Sequence, residues 1–139
     1  MKKVLIVILL FPFFSFLSPD YKSADFIGKW RGEDKGDIGY VVFDSAGYAS
    51  FQMGEEIFGG KEFISAGQKC NMKYKINDTI SPIHIDFIIT KEVTKEHKKL
   101  LGIAMFKDAD NMILAIEFEN NTRPTVFNKE NSILLTRVK

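Results

Sequence analysis

From residue 19 onward the apolar positions recur with a period of two rather than 3.6, the spacing of a strand with one buried face. In the stretch 70–77, Cys70, Met72, Tyr74 and Ile76 share one face while Asn71, Lys73, Lys75 and Asn77 share the other. Met112, Leu114, Ile116 and Phe118 alternate in the same way with Ile113, Ala115, Glu117 and Glu119. Further apolar runs at 26–31, 39–43, 48–53, 83–90, 100–106 and 132–138 bring the expectation to eight strands. The links 44–47 and 107–111 are rich in turn formers and short enough for hairpins, and Pro82 stands at the opening of a strand, where a missing N–H matters least. No stretch has both the length and the helical pattern of a crossover between parallel strands. The expected fold is all-β: an eight-stranded antiparallel up-and-down barrel, which by closing removes its own edges.

Two stretches fit this scheme less cleanly. The segment 54–63 carries Gly54, Gly59 and Gly60 with Phe58 and Phe63, and reads as a flap or bent strand over a barrel mouth, or as a long loop, the loop being favoured. The segment 91–99 (KEVTKEHKK) reads as a solvated hairpin tip, with a single helical turn and contact with anionic lipid headgroups as alternatives.

The chain opens with Lys2 and Lys3 followed by an apolar run, 4–17, interrupted only by Ser15 and Pro12. This is the export pattern, and the run is shorter than the roughly 20 residues of a spanning helix. Neither Ser18 nor Ala24 offers a small-x-small cleavage site, so 1–24 is expected to be a secretory signal peptide or an uncleaved N-terminal anchor, and 25–139 the barrel domain. The expected location is outside the cytoplasm: periplasmic, secreted or membrane-anchored.

Without residues 1–18 the chain has 17 basic and 18 acidic residues, a balance that offers no basic face to nucleic acid. Cys70 is the only cysteine, so an exported domain must hold without an internal disulfide; a buried core thiol is the expectation for it. Cys70, His84 and Asp86 are the only combination resembling a metal set, but no ligand spacing supports it. Glu55 and Glu56, as sequence neighbours, point apart on a strand and make a poor acid/base pair. No nucleophile motif or phosphate loop is present. The expectation is a protein without catalysis, metal or cofactor.

Gly28-Lys29-Trp30 resembles the G-x-W of the first strand in the lipocalin superfamily, and Arg137 stands in the last strand where lipocalin-like barrels often set an Arg across that Trp. Ile85-Asp86, Gly102-Ile103 and Arg123-Pro124-Thr125-Val126-Phe127 are similar to landmarks of small exported bacterial lipocalin-like domains of unknown function. The likeness spans about residues 26–138. It implies a structural role for Gly28, Trp30 and Arg137, with Trp30 and Arg137 forming a plug at the closed barrel end. Arg123-Pro124 reads as a turn or as an Arg presented to an anionic ligand, the turn being favoured.

An eight-stranded barrel is either filled by its side chains or just wide enough for one small ligand. The first expectation is therefore a small apolar or amphiphilic ligand bound among Met72, Tyr74, Ile85, Phe87, Leu114 and Ile116, with Phe58 as a gate and the Tyr74 hydroxyl orienting a polar end. The alternative is a protein-interaction module, such as a periplasmic inhibitor or accessory subunit, with a filled barrel and a protein partner at its loops. Contact with a membrane is expected only through an uncleaved N-terminal segment.

Overall fold

The computed structural model describes residues 20–139. The expected leader lies, for residues 1–19, outside the described residues. In chain order the strands are β1 (Gly28–Asp34), β2 (Asp37–Phe43), β3 (Ala49–Met53), β4 (Glu56–Gly59), β5 (Phe63–Ser65), β6 (Gln68–Asn77), β7 (Ile83–Lys91), β8 (His97–Asp108), β9 (Asn111–Glu117) and β10 (Ser132–Arg137), preceded by one 3-10 turn, Ser23–Phe26. All pairings are antiparallel, in the order β4-β3-β2-β1-β10-β9-β8-β7-β6-β5. Sequence neighbours pair throughout except β4 and β5, which stand at the two ends of this order, and β10 returns to β1, pairing Trp30 with Arg137. Main-chain hydrogen bonds from Met72 N–H to Gly60 O (2.9 Å) and from Tyr74 N–H to Gly47 O (3.0 Å) draw the two ends of the sheet together. The result is an all-β, nearly closed antiparallel barrel.

The strand count is ten rather than the expected eight. The additional strands, β4 and β5, fall where a loop was favoured, because four and three residues are too few for a period of two to register. The hairpins are also tighter than their composition suggests. Lys35 and Gly36 (φ 53° and 87°) and Ala66 and Gly67 (φ 50° and 76°) form two-residue links with positive φ throughout, the geometry that matches strand twist. Neither Lys-Gly nor Ala-Gly is a strong turn signal, so β1 and β2 run closer to the tip than 31 and 39. The stretch 91–99 divides between strand and tip: Lys91 N–H bonds to Glu96 O, and the Lys91 ammonium sits 3.6 Å from the Glu96 carboxylate.

The barrel axis is filled by a chain of rings. Tyr21 stacks on Phe106 (4.4 Å), which meets Phe26 edge-on (5.0 Å); Phe26 meets Phe43 (5.6 Å), and Phe43 meets Tyr74 (5.0 Å) and Phe87 (6.0 Å). Phe87 then touches Phe51 at 5.0 Å. Such offset and edge-on pairs contribute about 0.5–1.5 kcal/mol each beyond their burial. Cys70 is buried on the inward face of β6 opposite Phe63 of β5, with a free thiol and in the same phase as Met72.

Residues 20–24, placed within the expected leader, pack against the barrel: besides the Tyr21 ring, Ser23 donates through N–H (2.9 Å) and Oγ (3.2 Å) to the Asp78 carboxylate. A chain beginning at Asp25 is therefore expected to be about 1–3 kcal/mol less stable than one beginning at Asp20. Urea titration of the two forms checks this, and equal midpoints and slopes would show that the arm contributes nothing.

The long link between β9 and β10 wraps the outer wall. Ile103 and Ala115 alternate with inward residues and so point outward, yet are only 2% and 0% exposed. The cover is anchored by Arg123. Its guanidinium bonds to the Asp86 carboxylate (2.7 Å), Gly102 O (2.9 Å) and Ile85 O (3.3 Å), fastening the link to β7 and β8. Within 118–131 only Arg123, Pro124, Phe127 and Asn131 are partly buried. The Ile85-Asp86, Gly102 and Arg123-Pro124 landmarks of the sequence thus meet at one place, and the Arg123 guanidinium is committed to the protein itself.

A candidate ligand cavity at the open end

The two barrel ends differ in chemistry. At the closed end Trp30 is fully buried and donates from Nε1 to Phe26 O (2.8 Å), while the Arg137 guanidinium lies 4.3 Å over its ring. The same guanidinium bonds to Asp25 O (2.8 Å), Ile27 O (2.9 Å) and Ala109 O (3.0 Å) and approaches Asp110 at 3.3 Å. Gly28 is required twice over. Its φ is +137°, and a Cβ there would stand 3.0 Å from Arg137 Nη1. Gly28, Trp30 and Arg137 are therefore one structural unit that stops the barrel.

At the open end a cavity of about 410 Å³ lies among β1, β2, β3, β9 and β10, within the range of about 300–1,000 Å³ usual for small-ligand pockets. Its apolar wall includes Val41, Phe51, Met53, Leu114, Ile116 and Ile133, and its rim Asp34, Phe118, Lys129 and Glu130. Alternation along β1 and β2 turns Gly32 and Gly39 inward, directly opposite one another in the ladder. A Cβ on Gly32 would come within 2.6 Å of Ile133 Cδ1 and 2.9 Å of Leu135 Cδ2, and one on Gly39 within 2.9 Å of Met53 Sδ. The missing side chains let these neighbours lie flat on the wall and leave room at the mouth. The floor is Phe51, set against Phe87 of the filled axis.

The expected lining is divided by this geometry. Leu114 and Ile116 line the cavity. Met72, Ile85 and Phe87 are wholly buried in the packed core beneath it. Tyr74 packs on that core, and its hydroxyl donates to Asp44 O at 2.7 Å, toward the closed end rather than toward the mouth. Burial, and then the Asp44 charge, push its phenol above the usual value. Phe58 lies on β4, edge-on to Phe63 at 4.8 Å and 38% exposed, beside Cys70 and Ile89 in a separate depression. It does not gate the mouth cavity. Sequence reasoning missed Val41, Phe51, Met53, Phe118, Ile133 and Leu135. The signal that pointed to them was the pair of inward glycines, Gly32 and Gly39.

A second cleft, of about 430 Å³, separates the arm at Tyr21 and Lys22 from the 78–83 turn and β8, and its walls are chiefly polar. The combination of Cys70, His84 and Asp86 does not converge. Cys70 faces inward and pairs with Lys91, whereas His84 and Asp86 face outward, and His84 lies seven residues along β7 from Lys91, roughly 23 Å at the usual strand rise. Among the described residues no three His, Cys, Asp or Glu side chains are grouped to hold a metal ion.

The fold and cavity together define a small antiparallel β-barrel with a packed axis, a Trp–Arg stopper at one end and an apolar mouth at the other. Compared with known proteins, the chain matches no family model, no curated protein and no solved structure.

Proposed function

We propose that the protein is an exported, lipocalin-like, non-catalytic binder that holds a small apolar or amphiphilic ligand at the open end of its barrel. The observation that carries the reading is the 410 Å³ cavity whose apolar wall is built from strands while its polar groups are confined to the rim. Strand-borne side chains with paired backbones form a stiff, preformed pocket, which reduces the ordering cost of binding. Because the axis below Phe51 is filled, the ligand sits shallow, its tail against Leu114, Ile116 and Ile133 and its head at the rim. A lipocalin-like kinship is supported by the Trp30–Arg137 stack and by the meeting of Ile85-Asp86, Gly102 and Arg123. Export is supported by Lys2, Lys3 and the apolar run 4–17.

N-phenyl-1-naphthylamine, a neutral probe that brightens in apolar surroundings, is expected to bind saturably with micromolar affinity. Ile133→Trp, which pushes an indole into the cavity, should weaken it about tenfold or more while the fold persists by circular dichroism. Unsaturable fluorescence, or identical affinity in the variant, would move function away from the mouth. The second reading, a protein-interaction module, draws its support from the filled axis and from Val93, 89% exposed at the tip between β7 and β8.

A further inference from the structure

Around the mouth cavity the charges are unevenly divided. Asp34 and Glu130 line it, and neither forms an ion pair among the described residues. Asp37 is the ladder partner of Asp34, and Glu56 that of Met53. Glu119 follows Phe118 in the chain. Against these five carboxylates stand Lys129 on the rim and Lys35 beside Asp34, since the nearby Arg31 is taken by Glu33 at 3.9 Å. On the β7–β8 side of the same barrel end Lys95, Lys98 and Lys99 form no ion pair among the described residues, while Lys91 is held by Glu96.

Two features make this imbalance selective. Carboxylates clustered around an apolar, low-dielectric hollow focus a negative potential into it. The wall and rim also carry aromatic rings, Phe51 and Phe118, whose faces attract a cation. Tyr40, bordering the same cavity, already carries one, with the Lys29 ammonium 4.3 Å from its ring centroid. Acidic rim and aromatic wall are the combination suited to an ammonium group, and the apolar interior the combination suited to its tail.

We propose that the cavity takes a cationic amphiphile, a single apolar chain ending in a protonated amine or quaternary ammonium. This rests on the reading of the cavity as a ligand site. The tail lies on Leu114, Ile116 and Ile133, and the head sits between Asp34 and Glu130 within reach of Phe118. A carboxylate- or phosphate-headed lipid would set its charge against the same rim.

The test displaces N-phenyl-1-naphthylamine from the full mature domain with three ligands of equal chain length, each below its micelle concentration: dodecyltrimethylammonium, dodecanol and dodecanoate. The ammonium is expected to bind about tenfold more tightly than the carboxylate at low salt, with the gap narrowing as salt screens the rim. In an Asp34→Asn/Glu130→Gln variant that ratio should fall toward one. Lys129→Gln should leave the ammonium preference in place and widen it. Equal affinities, or a preference for dodecanoate, with dodecanol still bound would overturn the cationic head and leave the cavity reading standing. Failure of the probe and of all three ligands to bind would overturn both. A dimer that excludes the probe and dissociates in Val93→Asp would also overturn the proposal, assigning the mouth to the basic tip of a second copy.

Discussion

Replacing Trp30 with alanine is expected to lower stability by about 3–5 kcal/mol, a large share of the roughly 5–15 kcal/mol that holds a domain folded. The loss has three sources. The indole is fully buried, its Nε1 satisfies Phe26 O, and its face carries the Arg137 guanidinium at 4.3 Å. Removing the ring also leaves Arg137 without its platform, although its bonds to Asp25, Ile27 and Ala109 main-chain oxygens remain. Trp30→Phe keeps part of the packing and should lose about half as much. Guanidinium denaturation of the three proteins measures both values. A loss below about 1 kcal/mol for Trp30→Ala would show that the closed end is not held by this stack.

Arg123→Ala carries the second large effect, about 2–3 kcal/mol. Hydrogen bonds to a charged group contribute about 1.5–3 kcal/mol, and a partner left unpaired in a protein wall adds its own penalty. The pair is only partly shielded, with side-chain exposures of 23% and 19%, so the value lies below that of a fully buried ion pair. The consequence extends to the mouth, because the link that Arg123 fastens also carries Phe118, Lys129 and Glu130 of the cavity rim. Arg123→Ala should therefore open 118–131 to proteolysis and weaken probe binding in parallel. A double-mutant cycle with Asp86→Asn is expected to give a coupling of at least about 1 kcal/mol. Additive effects would mean that Arg123 acts through its two carbonyl acceptors alone.

How legible all this was in the amino-acid pattern depended on the range over which each contact is made. The alternation in 70–77 and 112–116 assigns inward and outward faces correctly, since it reports the side of the sheet on which each residue lies. It carries no information on depth along the barrel. Met72, Ile85 and Phe87 share the inward phase of Leu114 and Ile116, but they sit where rings from opposite walls meet, while the latter two reach the mouth. The cavity was announced by what the strands lack, because Gly32 and Gly39 occupy inward positions that would otherwise hold side chains. Those two glycines read as the ends of strands rather than as their interior. The Arg123–Asp86 contact joins residues 37 apart in the chain, and local spacing cannot show it. Around β4 and β5 the loop was favoured over a bent strand for the opposite reason: their order is imposed by β3 and β6 rather than by their own composition.

The most direct measurement is a map of backbone amide shifts in the isotope-labelled protein as dodecyltrimethylammonium is added. The account predicts saturable shifts confined to the mouth, at Gly32, Gly39, Phe51, Ile116, Phe118 and Ile133, with the amides of Met72, Tyr74 and Phe87 unmoved in the filled axis. Shifts that run instead through Met72, Tyr74 and Phe87, or no saturable shift at the mouth, would contradict it.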